Sequence, residues 1–134
     1  MKNLLASLVI GLAFFSPLYA GTTEPVLDAA SQVSESLASD NLTGAKSSAE
    51  KLAAVSSQNT ALARSSSKVA SAASLAEARA AYKEVGKETS FLARGVVGYS
   101  VVFCSMADAK WVQKGTAVRN PYLGKDMLTC GVIE

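Results

Sequence analysis

The chain contains no histidine. That absence removes the side chain that titrates nearest neutral pH and the commonest ligand of borderline metals. There is no glycine-rich phosphate loop and no Cys-x-x-Cys redox pair either. With no histidine base and no phosphate cradle, the sequence reads as that of a non-enzyme. Asp108 and Asp126 lie near the cysteines, but acid–base work needs placed carboxylates with tuned pKa values, and these read as solvated loop charges. An excess of one charge is also missing. The 13 basic and 11 acidic residues give a formal net charge of +2. Nucleic-acid binding calls for a clustered basic patch, so no nucleic-acid partner is expected.

Long apolar runs are scarce. The one that stands out is Leu4 to Phe15, preceded by Lys2 and followed by Ser16-Pro17 and Leu18-Tyr19-Ala20. That order is the basic start, apolar middle and small-residue end of a secretory signal peptide, so residues 1–20 are expected to be a signal peptide cleaved after Ala20. The run is shorter than the ~20 apolar residues of a membrane span. No cysteine follows the cleavage point to carry a lipid, so no membrane association is expected after cleavage. The product is expected to be periplasmic or secreted, where disulfides form and persist.

The remainder is rich in alanine, serine and leucine up to Val97. Residues 21–98 are expected to form a small antiparallel bundle of about four helices, making the fold all-α. Thr23 is a plausible cap before Pro25, and Val26, Ala29, Ala30, Val33 and Leu37 share one helical face. Ser39-Asp40-Asn41 and Ser56-Ser57-Gln58-Asn59 interrupt the pattern with cap and turn residues. Between them, a second helix turns Leu42, Ala45, Ala49, Leu52 and Ala53 inward. A third, from about Thr60 to Ala72, buries Leu62 and Val69.

The fourth helix has the clearest start. Ser74-Leu75-Ala76-Glu77 fits a capping box, with Ser74 and Glu77 each bonding the other's amide. Its inner stripe is read as Leu75, Ala78, Tyr82, Val85, Thr89, Leu92 and Val96, ending near Gly95 to Gly98. Large aliphatic residues are few, so the bundle core is expected to be thin.

Residues 99–134 are a different kind of sequence and are expected to pack on the bundle as loops and short elements, completing one domain. Tyr99 to Phe103 is a β-prone run leading into Cys104. Asn120-Pro121-Tyr122-Leu123-Gly124 is turn chemistry. This segment holds both cysteines, Cys104 and Cys130, the only tryptophan, Trp111, and Met106 and Met127.

Two readings of the sulfur stand side by side. Cys104 and Met106 share a face if extended, and Met127 and Cys130 share one if helical. The four can then offer two thiolates and two thioethers, a donor set that selects soft Cu(I) or Ag(I) over hard cations. Alternatively, two cysteines in an exported domain pair as a disulfide. Closing the Cys104–Cys130 loop is worth on the order of 3–4 kcal/mol, and the methionines then fill gaps. Spacing alone favours the disulfide.

Cys-x-Met-Ala, a tryptophan, then Arg-Asn-Pro-Tyr-x-Gly-Lys-x-Met-Leu-x-Cys-Gly resembles the C-terminal signature of an exported bacterial domain-of-unknown-function family, number 3347. The motif falls on Cys104, Met106, Trp111, Asn120, Pro121, Tyr122, Gly124, Met127, Cys130 and Gly131. Ser105 stands where the family usually has proline, and the loop from Met106 to Trp111 is short. The resemblance implies a small helical bundle associated with heavy-metal efflux and with periplasmic adaptor proteins of copper and silver pumps.

On this reading, Cys104, Met106, Met127 and Cys130 are candidate ligands of Cu(I), with Trp111 and Tyr122 in support. The candidate partners are a soft metal ion and an efflux-pump adaptor protein. The competing function is a helical protein-interaction module stapled by a Cys104–Cys130 disulfide and holding no metal.

Overall fold

The computed structural model describes residues 23–134, so the expected signal peptide lies outside the described residues. Four helices come first: α1 (Thr23–Ala38), α2 (Leu42–Val55), α3 (Thr60–Ala70) and α4 (Leu75–Leu92). Successive helices pack on one another, and α1 also packs on α4. Three- and four-residue connections of this kind reverse the chain, making neighbours antiparallel. Among the described residues no helix is long and apolar enough to cross a membrane.

The helix boundaries follow from caps. Asn41, Asn59 and Ser74 precede α2, α3 and α4, and each side chain accepts an amide hydrogen bond from the residue three positions on. This satisfies a donor that the first turn leaves unpaired. At the start of α4, the Glu77 amide donates to Ser74 Oγ at 3.1 Å. The return bond differs from the expected box: Glu77 Oε2 accepts from the Ala73 amide at 2.8 Å.

The end of α1 is a Schellman motif built on an unusual residue. The Asn41 amide donates to Ser36 O at 2.8 Å and the Asp40 amide to Leu37 O at 3.1 Å. Asp40 takes the left-handed conformation, φ 55°, that glycine usually supplies there. Its carboxylate meets Arg79 of α4 at 2.5 Å. Arg79 also donates to Leu37 O and, through Nε, to Pro121 O, both at 2.8 Å. One guanidinium thus ties α1, α4 and the C-terminal segment together.

The C-terminal segment departs from the all-α expectation. It is a three-stranded antiparallel sheet of order β2-β1-β3, formed by β1 (Tyr99–Cys104), β2 (Ala109–Lys114) and β3 (Val132–Ile133). The expected β-prone run became β1, while β2 and β3 are additional. Strand β1 pairs with β2 along its length, from Tyr99↔Lys114 to Cys104↔Ala109, and with β3 through Val102↔Ile133 and Phe103↔Val132. The molecule is mostly helical, but the sheet is a second layer that covers α4 and α1.

Burial explains why β2 is held there. Trp111 and Val112 are fully buried on successive positions of β2, with Gln113 beside them at 6% exposure. Period-two alternation disappears because this strand packs against both α4 and α1. Gly86 of α4 lets the strand approach: a Cβ there would collide with the Lys110 carbonyl oxygen and the Tyr122 hydroxyl. The main core joins the inner residues of all four helices to Val102, Cys104, Trp111 and Tyr122. Helix α4 stops at Leu92, short of the expected end. Leu92 is 37% exposed, so the inner stripe does not reach it.

Candidate functional site

Cys104 ends β1, where it pairs with Ala109 across the hairpin and is 1% exposed. The chain reverses through Ser105–Asp108, with Asp108 in the left-handed region at φ 47° and its amide donating to Ser105 O at 3.2 Å. Aspartate tolerates that conformation better than most residues. The amides of Met106 and Ala107 on this reversal help to hold the Cys104 thiol below its ordinary value.

Cys130 comes from the other arm. A 3₁₀ turn at Gly124–Met127 precedes it, and the Cys130 amide donates to Met127 O at 3.1 Å. Gly131 follows at φ 157°, and a Cβ there would stand 2.7 Å from the Trp111 ring and 2.8 Å from Val102. Only a residue without a side chain lets the Cys130–Gly131 backbone lie this close to Trp111.

These two arms bring the sulfurs of Cys104 and Cys130 to 2.9 Å. Asn120 fixes the second arm. It is fully buried, and its Oδ1 accepts from the Tyr122 and Leu123 amides at 2.8 and 2.9 Å. Its Nδ2 donates to the Cys130 carbonyl at 2.6 Å, and its own amide donates to Leu128 O at 2.6 Å. The same side chain helps to lower the Cys104 pKa. A buried polar group is expensive unless its bonds are made, and here each of them holds the 120–130 loop in place.

The two thiols are electrostatically unlike. Burial pushes Cys104 up, but hydrogen bonds from Cys130, the Ala107 and Met106 amides and Asn120 outweigh it. Together they hold Cys104 below its ordinary value of 9.0. The hydrogen bond that Cys130 gives Cys104, together with desolvation and the Cys104 charge, raises Cys130 above the same value. The pair therefore loses its first proton from Cys104, with Cys130 as the donor to the resulting thiolate.

Of the four expected ligands, the fold brings the two cysteines together. Met106 lies in the β1–β2 turn and Met127 at the end of the 3₁₀ turn, 64% and 41% exposed. Trp111 and Tyr122 are packing residues. Trp111 meets the Tyr122 ring edge-on at 6.0 Å, and Tyr122 meets Tyr82 at 5.7 Å. The Tyr122 hydroxyl donates to Lys110 O at 2.5 Å and Trp111 Nε1 to Gln113 Oε1 at 3.1 Å.

Sequence reasoning read Asn120 as part of a turn and missed its reach to both cysteines. It also missed Arg79 and the Met106 and Ala107 amides, which carry no side-chain signal of their own. Among the described residues no group of three or more His, Cys, Asp or Glu could hold a metal ion. The chain matches no protein-family model, no curated protein and no solved structure.

Proposed function

We propose that this protein is a periplasmic soft-metal-binding module that takes a Cu(I)- or Ag(I)-type ion and serves heavy-metal handling or efflux. An efflux-pump adaptor is its proposed partner. One observation carries the reading: residues 26 positions apart place their sulfurs 2.9 Å from each other, and the Cys104 thiol is held below its ordinary value by its hydrogen-bonding surroundings. Thiolate is the form that binds metal.

Cys104 and Cys130 are the proposed anchoring ligands. Met106 and Met127, both exposed, are the proposed thioether donors. A soft ion supplies polarisable bonding to sulfur, and the residues provide two anionic donors without a proton-accepting histidine. The Met106 turn follows Cys104 and the 120–130 segment carries Cys130, so these are the segments that would adjust to hold an ion.

The sulfur spacing also favours a second reading. A disulfide needs about 2.05 Å, so from 2.9 Å the pair would close to a staple with a movement of under about 1 Å. The protein is then an interaction module whose 120–130 arm is pinned to the end of β1.

Titration of the reduced protein with Cu(I) against a competing chelator separates the two. The metal reading expects one tight site per chain that weakens at least ~10-fold in the combined Met106→Leu, Met127→Leu variant. Unchanged affinity in that variant removes the methionines from the site, and no uptake by the reduced protein removes the metal reading.

A further inference from the structure

Cys104 and Cys130 differ in what can reach them. Cys104 is 1% exposed and lies in the core with Trp111 of β2. Cys130 is half-buried on the connecting segment before β3. A reagent arriving from solvent meets the Cys130 sulfur first and finds the Cys104 sulfur 2.9 Å away from it. Exchange rates depend on which sulfur is accessible and on how well the leaving sulfur carries charge.

We propose that Cys130 is an S-thiolation site, the entry sulfur for thiol–disulfide exchange with small-molecule or protein disulfides, and that Cys104 is the resolving sulfur.

In the oxidising direction Cys130 passes its proton to the Cys104 sulfur 2.9 Å away and, as the thiolate, attacks one sulfur of a disulfide RS–SR. The Cys130–SR bond forms, the RS–SR bond breaks, and RS⁻ leaves and takes a proton. The Cys104 thiolate then attacks Cys130 Sγ, forming the Cys104–Cys130 disulfide and expelling the second RS⁻. Two electrons pass from the pair to RS–SR, which ends as two RSH. In the reducing direction an external thiolate attacks Cys130 Sγ, and Cys104 departs as a thiolate. The amides of Met106 and Ala107 and the Asn120 side chain stabilise the charge that appears there.

An oxidised pair offers no thiolates, so this chemistry would also govern when the metal site above is open. The inference shares that pair without needing the metal.

The test is metal-free. Reduced protein is mixed with glutathione disulfide, acid-quenched at short times, and mapped by peptide mass spectrometry. The expected first product carries one glutathione on Cys130, followed by a species lighter by two hydrogens and free of glutathione. Cys104→Ser should accumulate the Cys130 adduct, and Cys130→Ser should thiolate at least ~10-fold more slowly. An adduct first on Cys104, or Cys130→Ser reacting as fast as Cys104→Ser, overturns the proposal. If either variant fails to fold, the position of the first wild-type adduct decides alone. A chain that refuses copper but thiolates at Cys130 refutes the metal reading and keeps this one.

Discussion

The buried side chain of Asn120 donates to the carbonyl oxygen of Cys130 across 2.6 Å. The donor nitrogen belongs to a residue that is fully buried, and its oxygen is already occupied by the amides of Tyr122 and Leu123. The residue that shapes the turn thus also positions the second sulfur.

Asn120→Asp tests that coupling. The acceptor bonds survive, while the donor to Cys130 is lost and a buried carboxylate faces a carbonyl oxygen. A loss of roughly 2–3 kcal/mol or more is expected from the unmade bond and the buried charge, read from denaturant midpoints of the reduced protein. The first thiol ionisation should also move up, because negative charge beside Cys104 disfavours its thiolate. Ultraviolet titration of the thiolate reads this shift, and a variant matching the wild type in both measurements contradicts the role.

Gly86→Ala sets two effects against each other. Alanine in a helix interior gains about 1 kcal/mol over glycine, but the added Cβ runs into the Lys110 carbonyl and the Tyr122 hydroxyl. Lys110 O is backbone in a paired strand and cannot swing aside. A net loss of about 1–3 kcal/mol is expected as β2 is pushed off α4. A variant more stable than the wild type would show that β2 does not lie against this helix.

Tyr99 predicts an alkaline limit. Burial, together with its hydrogen bond to Asp28 and the carboxylate charge, pushes Tyr99 from 10.0 up to about 12. A group whose folded pKa is raised contributes stability that is full below its unfolded value and lost as pH rises through the folded one. The Tyr99 contribution should therefore be intact below pH 10 and disappear towards pH 12. Melting temperatures of wild type and Tyr99→Phe should converge across that interval, and a constant gap would sink the assignment. Asp28 works in the opposite sense. Its bonds to Lys114 and Tyr99 hold it below 3.8, so its contribution is lost only in acid.

The helices were legible because their signals are local. Asn41, Asn59 and Ser74 cap the residues that follow them, and Leu52, Leu62, Val69 and Tyr82 are buried where their spacing put them. The sheet was half legible. Tyr99–Cys104 has strand composition, but β2 lacks alternation because both of its faces are covered, and β3 is two residues long. The meeting of Cys104 and Cys130 was anticipated as an outcome without its mechanism. Asn120, Arg79 and Gly86 act between segments distant in sequence, so no local window contains their partners. The expected convergence of all four sulfurs rested on face-sharing within each arm, which says nothing about how far the methionines reach into solvent.

The most direct test of soft-metal binding by the cysteine pair is native mass spectrometry. Mature protein, reduced and offered Cu(I), should carry one copper ion per chain, and Cys104→Ser and Cys130→Ser should each lose it. No adduct on the fully reduced wild type, or an adduct that survives both substitutions, would contradict the account.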